Sequence, residues 1–169
     1  AIFSIEELSE KISELETIDA TTTLFEFYTV YSEATPKEEL EELESFSFWA
    51  QTLIQDFNEI DRYLVPPESI FNYLAEIQDI NHWYLSPNKT EMVKNYLKFW
   101  HRLPEYYNKL NKKLLQERKG YQGMVYRKAS ENIKEFAATG VSNFVFLGFN
   151  ALNSAEQLII QEMLQNGAR

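Results

Sequence analysis

The chain has 169 residues, 44% of them hydrophobic and 15% aromatic, including 12 Phe and 10 Tyr. That is ample apolar surface for one domain with a sizeable core, and it excludes a disordered chain. A net charge of −10 argues against a protein that coats itself in nucleic acid, and the absence of Cys excludes a disulfide framework and a thiolate metal site.

Five Gly and five Pro leave few places for tight turns, which favours long helices over a many-stranded β fold. At the N-terminus, Ser4 and Glu7 form a capping-box pattern ahead of Leu8, Ile12 and Leu15 at helical spacing. A second helix is predicted over 21–33, burying Leu24, Phe25, Tyr28 and Tyr31. Thr35-Pro36 reads as a helix start with Pro in the first turn, leading into an acidic stretch at 38–44. The next helix carries Phe46, Trp49, Leu53, Phe57, Ile60 and Leu64 on one broad face. Pro66-Pro67 ends it and begins a short helix with Ile70, Phe71 and Leu74. His82-Trp83-Tyr84 is assigned to a connection, and Ser86-Pro87 opens another helix, which Pro104 divides or kinks. Gly120 reads as a C-cap. A last helix of the bundle is predicted over 122–138. The fold class is therefore mainly α, a multi-helix bundle.

One element stands apart. The run 141–147, rich in Phe and Val, reads as a β-strand covered on both faces. Gly148 breaks it, Asn153 and Glu156 make a capping pair, and Leu158, Ile159 and Leu164 supply an apolar helix face. A lone strand cannot satisfy its backbone, so its neighbours are expected elsewhere. Ile2-Phe3, a terminal segment or another copy of the chain are the candidates here, and the rest of the sheet belongs to a larger parent. A chain that does not begin with Met and stops just after a helix ending at Gly167 suits an excised fragment; a cleaved tag explains the first point equally well.

Charge is divided sharply along the chain. Residues 1–80 hold 19 Asp/Glu against 3 Lys/Arg, and residues 81–169 hold 13 Lys/Arg against 7 Asp/Glu. A local basic track is drawn by Lys98, Arg102, Lys109, Lys112, Lys113, Arg118 and Lys119, continuing to Arg127 and Lys128. Tyr106, Tyr107 and Tyr121 are interspersed, and aromatics beside cations can stack on the bases of a single strand. Two plainer readings stand beside this one. The cations form a solvated helix face with the Tyr rings in the core, or the basic half faces the acidic half.

Three stretches carry a family resemblance. The segment Asn143-Phe-Val-Phe-Leu-Gly-Phe-Asn-Ala-Leu-Asn-Ser-Ala-Glu-Gln-Leu-Ile-Ile160 resembles the Walker B region, motif II, of UvrD-type superfamily 1 helicases, in the degenerate form of AddB-like inactivated helicase–nucleases of Bacteroidetes type. The helicase pattern is an apolar strand, then Asp-Glu-Phe-Gln-Asp-Thr-Asn, then a helix. Aligning its Phe on Phe149 puts Leu147 in place of the magnesium-binding Asp and Gly148 in place of the water-activating Glu. Asn150 stands for the Gln, Ala151 for the second Asp, and Asn153 for the final Asn. Hydrolysis needs a carboxylate on the metal and a group to orient water, and Leu147 and Gly148 can supply neither. The stretch from Phe48-Trp49 to Ile60-Asp61 and the stretch 115–127, with Tyr121-Gln-Gly123-Met124-Val-Tyr126-Arg127, are similar to segments of the same proteins.

The resemblance implies an architecture and a role. Residues 1–138 would be the helical subdomain inserted into the first RecA-like domain, and 139–169 a strand and helix returning to its sheet. The chain would be a non-catalytic structural or DNA-contacting segment of an AddB-like helicase–nuclease in double-strand-break repair. The full-length parent would be a nuclease acting in the cytoplasm. Its partners would be the remainder of that parent, a helicase subunit, and single-stranded or duplex-end DNA. The competing reading is a helical protein-interaction module with no nucleic-acid role, docking through the acidic helices between Glu38 and Asp61.

Other chemistry is missing from the sequence. There is no phosphate loop, so no nucleotide cofactor is expected. His82 and His101 have no ligand pattern around them. Asp56, Glu59 and Asp61 could gather a divalent ion if Asp56 and Glu59 share a helix face, although cap or solvated roles are the commoner outcome. No catalytic residue and no metal site is assigned, and no run has the length of a membrane span.

Overall fold

The computed structural model describes residues 2–83, 91–141 and 143–169. Among them are seven α-helices. These are α1 (Ile5–Ser13), α2 (Ala20–Ala34), α3 (Leu43–Arg62), α4 (Pro67–Trp83), α5 (Glu91–Gln116), α6 (Gln122–Ala138) and α7 (Ser154–Gln165). Two very short strands, β1 (Glu16–Thr17) and β2 (Lys119–Gly120), pair in parallel and tie the end of α1 to the start of α6. Nothing in the sequence announced that pair, because two residues are too few for a period to show.

Helix starts follow local chemistry. At α1, the Ser4 hydroxyl accepts from the Glu7 amide at 3.2 Å while the Glu7 carboxylate accepts from the Ser4 amide at 2.8 Å. At α7, Asn153 and Glu156 make the same reciprocal pair at 2.9 and 3.0 Å, in buried surroundings. Each box satisfies two backbone donors that a helix end would otherwise leave bare. Asp19 caps α2 through the Thr22 amide at 2.8 Å.

Two cores result. The larger one gathers Phe27 and Tyr31 of α2, Phe46 and Phe57 of α3, Phe71 of α4, Tyr106 and Leu110 of α5, and Met124 of α6. Its rings meet mostly edge to face, as Phe27 does with Trp49, Phe57 and Tyr106, an arrangement favoured by the ring quadrupole. The smaller core joins Leu8 and Ile12 of α1, Ile133 and Ala137 of α6, Val141, and Ile159 and Met163 of α7. It spans both sides of residue 138. Helix α6 is buried along much of its length because it faces both cores. Where α6 meets α3, a Cβ on Gly123 would lie 2.2 Å from the Asn58 carbonyl oxygen, so only glycine permits this approach.

The mainly α expectation is met, and several local expectations need correction. The described residues of the run 141–147 form no strand: the Phe144 amide bonds back to the Val141 carbonyl at 2.9 Å, and the exposed residues beyond it include Val145 and Leu147. The run does pair with a terminal segment, because the Phe146 amide donates to the Arg169 carbonyl at 2.6 Å and the Arg169 amide donates to the Phe144 carbonyl at 2.9 Å. Two bonds on one edge are too few to make a ladder. Ile2 is 99% exposed and does not serve as its neighbour. In α2 Tyr31 is buried as expected, but Phe25 points to solvent and Phe27 is the second buried ring. Thr35-Pro36 opens only a 3₁₀ turn, Lys37–Glu39. Leu64 lies past the end of α3 with φ +54°. Helix α4 is long and takes in His82 and Trp83, which had been placed in a connection; Tyr84, Ser86 and Pro87 lie outside the described residues. Pro104 sits inside α5 without dividing it. Gly120 belongs to β2 and caps nothing, and the chain turns instead at Arg118, with φ +55°. In α7 Ile159 is buried as expected, but Met163 takes the core place expected of Leu164, which is half-exposed.

Candidate functional site

The basic track lies mostly on α5 and the turn after it, and it is tied to the chain's own carboxylates. Arg102 and Lys98 both reach Glu39 of the 3₁₀ turn, at 2.7 and 3.2 Å. Lys113 bridges Glu26 of α2 at 3.0 Å and Glu117 at 2.9 Å, and Lys119 shares Glu117 at 2.9 Å. Lys109 pairs with Glu105 one turn back at 2.7 Å. Lys128 pairs with Glu131 at 3.1 Å. Of the seven cations assigned to nucleic acid, Lys112 and Arg118 are exposed without an ion pair among the described residues.

This pairing shifts the carboxyl and amino groups in opposite directions. The Arg102 and Lys98 hydrogen bonds hold the Glu39 carboxyl below the usual range. Lys119 and Lys113 do the same to Glu117, while Glu117 and then Glu26 raise Lys113. Glu26 and Glu39 come from the acidic half of the sequence. The two halves therefore meet across α2, the 3₁₀ turn and α5, as the third reading of the charge division expected. Each exposed pair adds little stability, but together they neutralise much of the field a polyanion would follow.

The interspersed tyrosines are core residues. Tyr106, Tyr107 and Tyr121 are all at most 5% exposed, so none is available to stack on a base. Two of them belong to a polar centre that sequence reading missed. Asp61, at the end of α3, has no exposed surface, and its carboxylate accepts from the Tyr107 and Tyr121 hydroxyls, each at 2.5 Å. The Arg127 Nε donates to it at 2.5 Å, and the same guanidinium reaches the Ile60 and Val65 carbonyls at 2.9 and 2.7 Å. Burial first, and the neighbouring carboxylate next, push both tyrosine hydroxyls well up, so they remain proton donors. The centre thus joins α3, α5 and α6 in a fully bonded knot. Only the fold brings residues 61, 107, 121 and 127 together, and no spacing signal could have revealed it.

That geometry separates Asp61 from Asp56 and Glu59, which stay exposed on α3. No group of three or more His, Cys, Asp or Glu among the described residues could hold a metal. An apolar groove of about 770 Å³ lies beside Asp56, walled by Trp49, Phe71, Phe99 and Leu103.

The degenerate motif occupies an open corner. Leu147 is 82% exposed, Phe149 is 43% exposed, and Gly148 has φ +81°, a left-handed turn. Asn150 is exposed, and α7 begins four residues later. The alternation before the turn is regular. Phe144 and Phe146 pack onto the smaller core, while Val145 and Leu147 face outward. A cavity of about 480 Å³ opens beside this stretch, with Ile2, Phe3 and Ile5 on its other wall. No helix among the described residues is long and apolar enough to cross a membrane. Compared with protein-family models, curated proteins and solved structures, the chain matches none.

Proposed function

We propose that this chain is a non-catalytic structural segment of an AddB-like helicase–nuclease, a scaffold within that protein more than its DNA-contacting surface. The reading rests on the resemblance of residues 48–61, 115–127 and 143–160 to such proteins. The observation that favours scaffold over DNA contact is the pairing of the basic track. Five of its seven cations hold carboxylates of this same chain, and the tyrosines between them are buried. Proteins that grip DNA spend such cations on phosphates. On this reading the parent acts in the cytoplasm in double-strand-break repair, its nuclease site lies in another part of it, and a helicase subunit and the remainder of the parent are the partners.

The motif corner supports the same conclusion. A leucine and a glycine stand where a nucleotide engine keeps two carboxylates, so neither a magnesium ion nor an attacking water has a ligand there. Exposed Lys112 and Arg118 could still brush a phosphate, but two point charges give a shallow salt dependence.

Fluorescence anisotropy with a labelled single-stranded oligonucleotide tests this directly. Binding weaker than about 10⁻⁴ M at physiological salt is expected, below the range of ordinary non-specific DNA-binding proteins. The triple charge reversal K109E/K112E/K113E should change nothing measurable. Saturable micromolar binding that this variant abolishes would restore the DNA-contact reading, and calorimetric uptake of Mg-ATP would end the inactivated-motif reading.

A further inference from the structure

We infer that residues 144–147 form the receptive edge of an incomplete sheet, and that their partner is an extended apolar polypeptide strand that adds to the edge carrying the Val145 and Leu147 backbone groups. The inference does not depend on the helicase–nuclease reading. Arg169 bonds to the residues on both sides of Val145: its amide donates to the Phe144 carbonyl and its carbonyl accepts from the Phe146 amide. One residue bridging the two flanks of its opposite number is the parallel pattern. Helix α7 connects the two, so 144–147, α7 and Arg169 make the opening of a β-α-β unit. Parallel sheets of that kind are covered on both faces and paired on both sides of their inner strands.

Here one face and one edge are served. Phe144 and Phe146 rest on the core of α1, α6 and α7, and the edge carrying their bonded groups is taken by Arg169. In extended backbone the neighbouring residues present their N–H and C=O to the opposite edge. Neither Val145 nor Leu147 makes a backbone hydrogen bond among the described residues. Their side chains are 60% and 82% exposed, and 99%-exposed Ile2 lines the same cavity.

These features select the occupant. A row of free amides and carbonyls calls for another backbone, and a helix, whose own groups are already paired, cannot answer it. The outward side chains are aliphatic, so the strand must be apolar at alternate positions. A second copy is disfavoured by charge, because each chain carries −10 and α1 next to the cavity has Glu6 and Glu7 in its first turn. The same acidity repels an anionic membrane.

Amide hydrogen exchange by NMR, with a capped peptide of alternating Thr and Val flanked by Lys as the probe, tests the inference. Saturable binding should slow exchange at Val145 and Leu147 at least tenfold. A version N-methylated at alternate amides should not bind, and Val145→Pro should abolish protection at that edge. The Phe146 and Arg169 amides report whether the fold survives; if Val145→Pro disturbs them, Leu147→Lys on the outward face replaces it, with at least a tenfold loss of affinity expected. Equal binding of the N-methylated peptide would reduce the site to a greasy patch and overturn the inference. So would the absence of protection at millimolar peptide, or protection of the same amides by dimerisation of the chain alone.

Discussion

Removing the Asp61 carboxylate should be the most damaging single polar change in this protein. Asp61 is fully buried and accepts three side-chain hydrogen bonds. Asp61→Ala would remove the acceptor of the Tyr107 hydroxyl and of the Arg127 Nε, and would leave the Tyr121 hydroxyl only the Asn111 side-chain oxygen. Breaking one side of a buried charged pair costs about 3–5 kcal/mol. The Arg127 side chain retains 21% exposure and its two carbonyl partners, which places the loss near the low end, about 3 kcal/mol. For a domain of this size that corresponds to a fall in Tm of about 6–12 °C. Urea titration followed by circular dichroism would measure the free energy directly. Asp61→Asn keeps an acceptor and should lose about half as much. In an Arg127→Met background Asp61→Ala should cost at least ~1 kcal/mol less than in the parent, the mark of two residues acting through one another. A loss below about 1 kcal/mol for Asp61→Ala, or strict additivity with Arg127→Met, would show that the knot is ornamental and that the cores alone hold α3, α5 and α6.

Three further expectations concern other points of the fold. Gly123→Ala should destabilise by about 3 kcal/mol, the upper end for overpacking, because the obstacle is the Asn58 backbone and no side chain can swing aside; equilibrium unfolding checks it. Asn153→Ala should cost about 1 kcal/mol by removing the reciprocal cap of α7, seen as loss of amide protection in the first turn of that helix. Glu39 should titrate below 4.5 in a carbon-detected NMR experiment, since Arg102 and Lys98 stabilise its charged form. With the folded value depressed, the stability it contributes is present above the unfolded value and lost as pH falls through the folded one. A Glu39 midpoint at or above 4.5 would mean that the pairs to α5 do not persist in solution.

Local signals and long-range ones fared differently in the sequence. Capping pairs Ser4/Glu7 and Asn153/Glu156 were readable because both partners lie within one helical turn, and the expected limits of α6, 122–138, are those observed. On α2 the expected face holds at Leu24, Tyr28 and Tyr31 and fails at Phe25, whose place in the core is taken by Phe27, because an aromatic-rich helix offers more than one plausible stripe. Pro104 does not divide α5: it costs the helix a hydrogen bond, yet packing of Leu103, Tyr106 and Tyr107 beside it holds the helix through. The strand at 141–147 was the opposite error. Its composition is that of a covered strand, but pairing is a property of two segments, and among the described residues only Arg169 is at hand to pair.

The charge division carries the last step. A sequence with an acidic half and a basic half invites the idea that the basic half awaits a polyanion. Folding removes most of that freedom, because α5 lies against α2 and the 3₁₀ turn, and their carboxylates reach its cations first. A DNA strand would have to displace Glu26, Glu39 and Glu117 from Lys98, Arg102, Lys113 and Lys119, exchanging ion pairs already made for new ones while the expelled carboxylates repel the phosphates. Exposed ion pairs are individually weak, at most about 1 kcal/mol, so the exchange is not forbidden by their strength. It is disfavoured by what stays behind, since each displaced carboxylate remains tethered within a Debye length, about 8 Å at physiological salt, of the phosphate that replaced it. Substituting Glu26, Glu39 and Glu117 together by Gln should therefore turn this surface into a salt-dependent binder of single-stranded DNA. If that triple variant gains no affinity over the parent chain in low salt, self-neutralisation is not what keeps the basic track from nucleic acid.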